Sequence, residues 1–204
     1  MSNTSEGELN ESDLMDDPIE LFDTWFKVAK TTGLNDPNAM CLSTIDEVGV
    51  PDSRMVLLKG FDKRGFVFFT NSQSNKGRSI LKTPNVALNM FWDPLGRQIR
   101  IQGEVEIVSS EESDAYFSSR RRESQLGAWA SLQSQELDSR QILEGRLQEF
   151  SLSFPEAVPR PPHWYGFRVK PGKIEFWQNR KDRLHDRFVY RLLDGDWKVQ
   201  RLYP

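Results

Sequence analysis

Short runs of β-branched and aromatic residues, cut by four-residue turns that end in glycine, constrain this chain most. "AMCLSTI", "VPDSRMVLLKGF", "GFVFFT", "VALNMFW" and "RQIRIQGEVEIV" follow one another between Ala39 and Val108. The links "DEVG", "DKRG" and "DPLG" are too short for a crossover, and each closes on the residue that enters left-handed backbone freely. Strands joined so tightly run antiparallel, and closing such a sheet into a barrel removes its exposed edges. "WYGFRV", "KIEFWQ", "RFVYRLL" and "WKVQRL" supply further strands near the C-terminus.

Helices flank these runs. In "DDPIELFDTWFKVAKTTGL", Asp17 can cap, Pro18 suits the first helical position and Glu20 completes a capping-box spacing. Phe22, Trp25, Phe26 and Ala29 then share one face. A short helix is expected from Ser74 to Lys82, and more in "SEESDAYFSSR", around "SQLGAWAS" and in "DSRQILEGRLQEFSLSF". The expected fold is therefore mostly β with flanking α-helices. Residues 1–16, polar and acidic, read as a disordered tail, and 17–204 as one domain.

Composition excludes several function classes. A formal charge of −3 is unlike a general nucleic-acid binder. The one cysteine, Cys41, cannot form an internal disulfide and reads as a small buried hydrophobe; with two histidines it leaves too few soft ligands for a typical zinc site, so no metal is expected. No apolar stretch is long enough for a bilayer and none resembles a signal peptide, so the expected location is the cytoplasm, with no membrane partner.

Three stretches could carry chemistry. On a strand, "SRMVLLKG" turns Arg54, Val56 and Leu58 one way and Met55, Leu57 and Lys59 the other, so its two cations could serve different anions or simply mark wet strand ends. In "YFSSRRRESQLGAW", Tyr116, Arg120 and Ser124 are four apart and would line one face of a continued helix, as a phosphate cradle or as a solvated face. "TNSQSNKGRS" puts Asn75 and Lys76 at a helix start, where free N–H groups attract phosphate, although its glycines do not make a Walker A loop.

The fourth stretch, "EFWQNRKDRLHDRF", gathers Arg180, Lys181, Arg183, His185 and Arg187 beside Trp177. If extended, it turns Arg183, His185 and Arg187 to one side and Asp186 to the other. Between arginines His185 is expected neutral near pH 7, able to donate or accept a hydrogen bond without adding charge. No Ser or Cys partner suggests an acid–base relay.

Together, "RMVLLKG", "FFTN", "GRQIRIQG", "YFSSRRRESQLGAW", "QS" at Gln133–Ser134, "IEFWQ" and "RLHDRF" resemble the pyridoxamine 5′-phosphate oxidase family, from about Asp17 to the C-terminal "RLYP". The resemblance implies a homodimeric split β-barrel that binds FMN at the subunit interface. It implies FMN contacts from Arg54, Met55, Val56, Leu57, Leu58, Lys59, Phe69, Thr70, Asn75, Lys76, Gln98, Gln133 and Ser134, with Trp177 and Arg187 reaching in from the partner. Lys59, Tyr116, Arg120 and Ser124 would hold the substrate phosphate. Arg183, Leu184 and His185 would meet the substrate, with Arg183 and His185 over its ring as the catalytic pair. The implied reaction is oxidation of pyridoxamine or pyridoxine 5′-phosphate by O2 to pyridoxal 5′-phosphate, with H2O2 and, from the amine, ammonia.

The chain departs from the family pattern twice. No Arg-x-x-Tyr segment precedes the first helix, and Asn75 stands where an arginine commonly precedes the lysine. A sister flavin oxidase of the phenazine-biosynthesis type is the alternative on the same fold. A non-catalytic carrier of flavin or pyridoxal phosphate is the alternative of another class.

Overall fold

The computed structural model describes residues 7–204. Nine strands form one sheet: β1 (Ala39–Ile45), β2 (Pro51–Leu57), β3 (Gly60–Asp62), β4 (Gly65–Asn71), β5 (Asn85–Trp92), β6 (Arg97–Ile107), β7 (Trp164–Gln178), β8 (Asp186–Leu193) and β9 (Asp196–Arg201). Their order is β2-β1-β5-β6-β7-β4-β3, and every pair is antiparallel. β7 is the hub. It runs along all of β6, while its first half pairs β4 and its second half pairs β8, which continues to β9. The expected tight turns are present, with Gly49, Gly65 and Gly96 at positive φ.

Two strand boundaries differ from the sequence reading. "VPDSRMVLLKGF" is broken at Leu58–Lys59, because Leu58 N donates to Asn38 O and Lys59 N to Val67 O, both at 2.8 Å. The chain thereby leaves β1 for β4 and curls the sheet into a half-barrel. Conversely, "WYGFRV" and "KIEFWQ" form one strand through Pro171. Pro171 lacks an N–H, and the ladder accommodates it where the register shifts between Gln102 and Gly103. A Cβ on Gly103 would lie 2.1 Å from Lys170 O, so only glycine lets the two backbones approach there.

α1 (Pro18–Ala29) starts as expected, with Asp17 Oδ1 accepting from Ile19 N at 2.9 Å. Phe22, Trp25 and Ala29 are buried against Phe66, Trp92 and Phe176 inside the curl. α2 (Asn75–Lys82) follows β4, α3 (Ser110–Ser118) follows β6, and α4 (Arg122–Ala130) and α5 (Arg140–Ser153) precede β7. Phe117, Leu126, Val158 and Trp164 form a smaller core beneath α3 and α4.

The expected disordered tail needs correction over its described part. Residues 1–6 lie outside the described residues. From residue 7 the chain is docked: Leu9 is 1% exposed within the main core, and Tyr190 Oη donates to Met15 O at 2.9 Å. One apolar side chain and a few backbone groups anchor a segment whose composition alone is that of a solvated tail. Cys41 is also not fully buried, since it lies on the outer face of β1 opposite Met55 and Asn89.

A cationic cavity and a strained arginine–histidine loop

β2 keeps its expected alternation. Arg54 and Val56 are half-buried, whereas Met55, Leu57 and Lys59 are exposed. Lys59 leads into a cavity of about 480 Å³ between β2, β4 and helices α2 to α4. Met55, Val56, Leu57, Lys59, Phe69, Thr70, Lys76, Tyr116, Arg120, Ser124 and Gln133, all singled out in the sequence, line this one space. Asn71, Arg121 and Trp164 line it too and were missed. Trp164 opens β7 behind the proline-rich loop, where its alternation with buried Gly166 was the available signal; Arg121 was hidden within the "RRR" run.

The cradle is not built as a continuous helix. α3 ends at Ser118 and α4 begins at Arg122, so Tyr116, Arg120 and Ser124 sit on a helix, a linker and a second helix. Gln125 Nε2 accounts for the break by donating to the terminal α3 carbonyls, Phe117 O at 2.8 Å and Ser118 O at 3.3 Å. The three side chains nevertheless line the same cavity, because aromatic contacts hold the corner. Tyr116 stacks on Phe69, Phe69 stacks on Trp164 at 5.3 Å, and the Arg120 guanidinium lies 4.6 Å over Trp164.

This cavity is electrostatically one-sided. Lys59, Lys76, Arg120 and Arg121 line it, and among the described residues no lining side chain is acidic. Burial, and secondly the Arg54 guanidinium, push the Lys76 ammonium below its ordinary value. Its polar neighbour is Ser74 Oγ at 3.3 Å. Ser74 also caps α2, accepting from Gly77 N at 3.3 Å, so the first turn of that helix faces the same wall as Lys76. Burial likewise lowers the Arg120 pKa, but a guanidinium stays charged at neutral pH. Arg120 Nη1 is buried with no hydrogen-bond partner among the described residues. A buried guanidinium donor with no protein partner suits a charge-assisted bond to an anion.

The remaining expected site residues lie elsewhere. Arg54 does not line the cavity; its guanidinium donates to Thr44 Oγ1 at 2.7 Å and pairs with Asp52. Leu58 is buried in the core. Asn75 is exposed and accepts from Arg78 Nη2 at 2.7 Å, away from the cavity. Ser134 stands in the loop after α4 with φ 73, a left-handed conformation rare outside glycine.

Gln98, Trp177 and Arg187 form a row across β6, β7 and β8. Trp177 is thirteen residues beyond the cavity's Trp164, about 40 Å along the strand at the usual rise. Arg187 is held by Glu175, with Nη2 at 2.7 Å and Nε at 2.9 Å from Oε1. His185 packs on Trp177 at a centroid distance of 4.6 Å, and its Nδ1 accepts from Arg180 N at 3.2 Å. The expected extended alternation of Arg183, His185 and Arg187 is absent. Lys181–Arg183 form a single helical turn in which Asp182 (φ 56) and Arg183 (φ 64) are left-handed. Arg183 and Leu184 are exposed. Two successive non-glycine residues in that region are strained, a condition that clusters at functional sites.

The sequence profile described as pyridoxamine 5′-phosphate oxidase matches residues 28–154, more than half of the chain. The chain belongs to the pyridoxamine 5′-phosphate oxidase family. A second profile, the pyridoxine 5′-phosphate oxidase C-terminal dimerisation region, matches residues 164–204, which span β7 to β9 and the arginine–histidine loop. A pyridoxine/pyridoxamine 5′-phosphate oxidase of Cupriavidus necator is 51% identical over 97% of this chain and 94% of its own. One of Caulobacter vibrioides is 54% identical over 93% and 86%. Among solved structures, PhzG from Burkholderia lata 383, in complex with tetrahydrophenazine-1-carboxylic acid, superposes with a TM-score of 0.91 at 33% identity, covering 97% of this chain and 98% of that one. This family member thus has the family's split-barrel fold. Among the described residues no helix is long and apolar enough to cross a membrane.

Proposed function

We propose that this oxidase converts pyridoxamine or pyridoxine 5′-phosphate to pyridoxal 5′-phosphate with FMN and O2, releasing H2O2 and, from the amine, ammonia. The observation that carries the reading is a cavity lined by Lys59, Lys76, Arg120 and Arg121 and, among the described residues, by no acidic side chain. Two phosphate monoesters bring about −3 to −4 of charge at neutral pH, which matches that excess. Lys76, the start of α2 and the nearby Arg54 suit the FMN phosphate. Lys59, Tyr116, Arg120 and Ser124 suit the substrate phosphate, with Arg120 forming a charge-assisted fork and Tyr116 and Ser124 adding hydroxyl donors.

The chemistry supplied by bound FMN is two-electron oxidation at the substrate's C4′ carbon, with dioxygen as final acceptor. The protein's part is positioning. Gln98, Trp177, Arg183, Leu184, His185 and Arg187 do not line the cavity of their own chain and belong to the region matching the dimerisation profile or to the adjacent strand β6. They are therefore assigned to the partner's cavity in a homodimer, with Arg183 and His185 over the substrate ring. His185, whose Nδ1 is already an acceptor, offers an Nε2–H donor there.

The likeness to PhzG favours a second reading, oxidation of a larger ring acid. A tetrahydrophenazine-1-carboxylic acid carries one carboxylate and no phosphate, so it leaves the Lys59–Tyr116–Arg120–Ser124 group underused. Anaerobic titration of the FMN-loaded protein with pyridoxine 5′-phosphate separates the two. Bleaching of the flavin, recovery in air and formation of pyridoxal 5′-phosphate are expected. A flavin bleached only by the tetrahydrophenazine-1-carboxylic acid transfers the activity to the second reading, and one bleached by neither leaves a carrier.

A further inference from the structure

The docked N-terminal segment touches the loop that bears Arg183 and His185. Glu8 Oε1 lies 2.8 Å from Arg180 Nη1, which also donates to Gly7 O at 3.4 Å. Leu9 N donates to Asp186 Oδ2 at 3.3 Å, and the buried Leu9 side chain fixes the segment to the core. Glu11 accepts from Arg201 at 2.8 and 2.9 Å, and Arg201 reaches Asp186 Oδ1 at 2.8 Å. Both ends of the loop, Arg180 and Asp186, are thus held by residues 7–11, either directly or through Arg201.

The loop's other ties lie at its base: Arg180 Nη1 is 3.6 Å from Asp186 Oδ2, Asp186 pairs Gln178 in the β7–β8 ladder, and Asn179 N donates to Gly96 O at 2.7 Å. Arg183 and Leu184 are exposed, and Asp182 and Arg183 keep left-handed backbones that persist only when their surroundings impose them. Within it, Arg180 N donates to His185 Nδ1, so the position of Arg180 decides where the imidazole sits and which nitrogen carries its proton. Neither Glu8 nor Arg180 lines the cavity.

We propose that Glu8 and Arg180 are positioning residues: their ion pair straps the N-terminal segment to the arginine–histidine loop and holds His185 against Trp177 with its Nε2–H presented. This rests on the reading of Arg183 and His185 as substrate-facing. It predicts that the acidic segment acts from beside the loop, without any side chain of its own on the substrate.

The test uses full-length Glu8→Gln, Arg180→Met, Arg180→Lys and the double variant E8Q/R180M. Hydrogen exchange of residues 180–186 is read without substrate, and the FMN Kd and the kcat and KM for pyridoxine 5′-phosphate are read separately. Loop amides should exchange about two- to fivefold faster in E8Q and R180M, the scale of a partly exposed ion pair. kcat should fall about three- to tenfold with the FMN Kd held within about twofold, since only ring placement is disturbed. R180K should recover most of the loss, and the double variant should be no worse than R180M. Unchanged loop exchange overturns the proposal, and so does a lowered Tm with wild-type kcat and KM. If the wild-type protein does not oxidise pyridoxine 5′-phosphate, the functional reading fails instead, and loop exchange alone still decides whether the strap holds.

Discussion

Phe69 on β4 and Tyr116 on α3 stack with ring centroids 4.1 Å apart and planes inclined by 22°. This pair couples the barrel wall to the helical corner, and it places Tyr116 beneath Lys59, whose Nζ lies 5.9 Å from the ring centroid. Tyr116 therefore has two separable jobs. Its ring holds the corner, and the residue lines the cavity.

Tyr116→Phe keeps the stack and removes the donor. KM for pyridoxine 5′-phosphate should rise about 10- to 100-fold, the range for a hydrogen bond to a charged group, with Tm within about 1 °C of wild type. Tyr116→Ala should raise KM at least as far and also lower Tm, because an aromatic pair contributes about 0.5–1.5 kcal/mol beyond its buried area. Steady-state kinetics beside calorimetry separates the two roles. Equal Tm values for both variants would deny the ring its structural part.

Arg120 Nη1 is buried with no hydrogen-bond partner among the described residues, so on the proposed function its truncation removes a donor to the substrate phosphate. Arg120→Ala should raise KM about 30- to 150-fold, equivalent to roughly 2–3 kcal/mol, with kcat little changed if the contact is the same in the ground and transition states. An unchanged KM removes Arg120 from the substrate site.

Lys76 is buried in the cavity wall, and that burial, with the Arg54 guanidinium second, holds its pKa below the ordinary value of 10.5. The unfolded chain therefore binds more protons than the folded one between the lowered pKa and 10.5, and ligand-free stability rises with pH through that window. Below it the penalty is fully present. Lys76→Met should remove this dependence and raise the Tm of the FMN-free protein at pH 7, by roughly 2–4 °C for each kcal/mol of desolvation relieved. The same variant should bind FMN more weakly, by about 10-fold or more. A variant that loses stability and keeps its FMN affinity contradicts the assignment.

Gly77 packs against the turn before α2, where an added Cβ would lie 2.4 Å from Ser72 O and 2.6 Å from Asn71 O. Backbone cannot yield there as a side chain could. Gly77→Ala should push the first turn of α2 outward, weaken FMN binding and lower Tm, which equilibrium dialysis and thermal unfolding can follow together.

If the cavity and the arginine–histidine loop of one site come from different subunits, Arg120→Ala and Arg183→Ala should complement. Each variant alone should be nearly inactive at low substrate. Co-folded in equal amounts, they give about half heterodimers with one intact site in two, hence about a quarter of wild-type activity. Activity no higher than that of the parents would put Arg120 and Arg183 in the same subunit's site.

Much of this protein follows from local sequence. The glycine-ended turns after Asp46, Asp62 and Asp93 dictated antiparallel pairing, and the 3.6-residue spacing of Phe22, Trp25 and Ala29 dictated which face of α1 is buried. Within β2 the alternation in "SRMVLLKG" set half-buried Arg54 and Val56 against exposed Met55 and Leu57, since strand side chains must alternate, whereas Lys59 lies past the strand's end. Other features depend on contacts remote in sequence. Gln125 ends α3 by reaching its carbonyls, which turned an apparent continuous helix into a corner without scattering Tyr116, Arg120 and Ser124. Leu9 and Glu11 are ordered by Asp186 and Arg201, partners more than 170 residues away, so composition alone made a docked segment look like a tail. The left-handed turn at Asp182 and Arg183 broke an alternation that is valid only for extended chain. Residue type and spacing determined which elements form and which side chains carry charge; only tertiary structure decided that Lys59, Lys76, Arg120 and Arg121 would share one cavity, because convergence requires the sheet to curl.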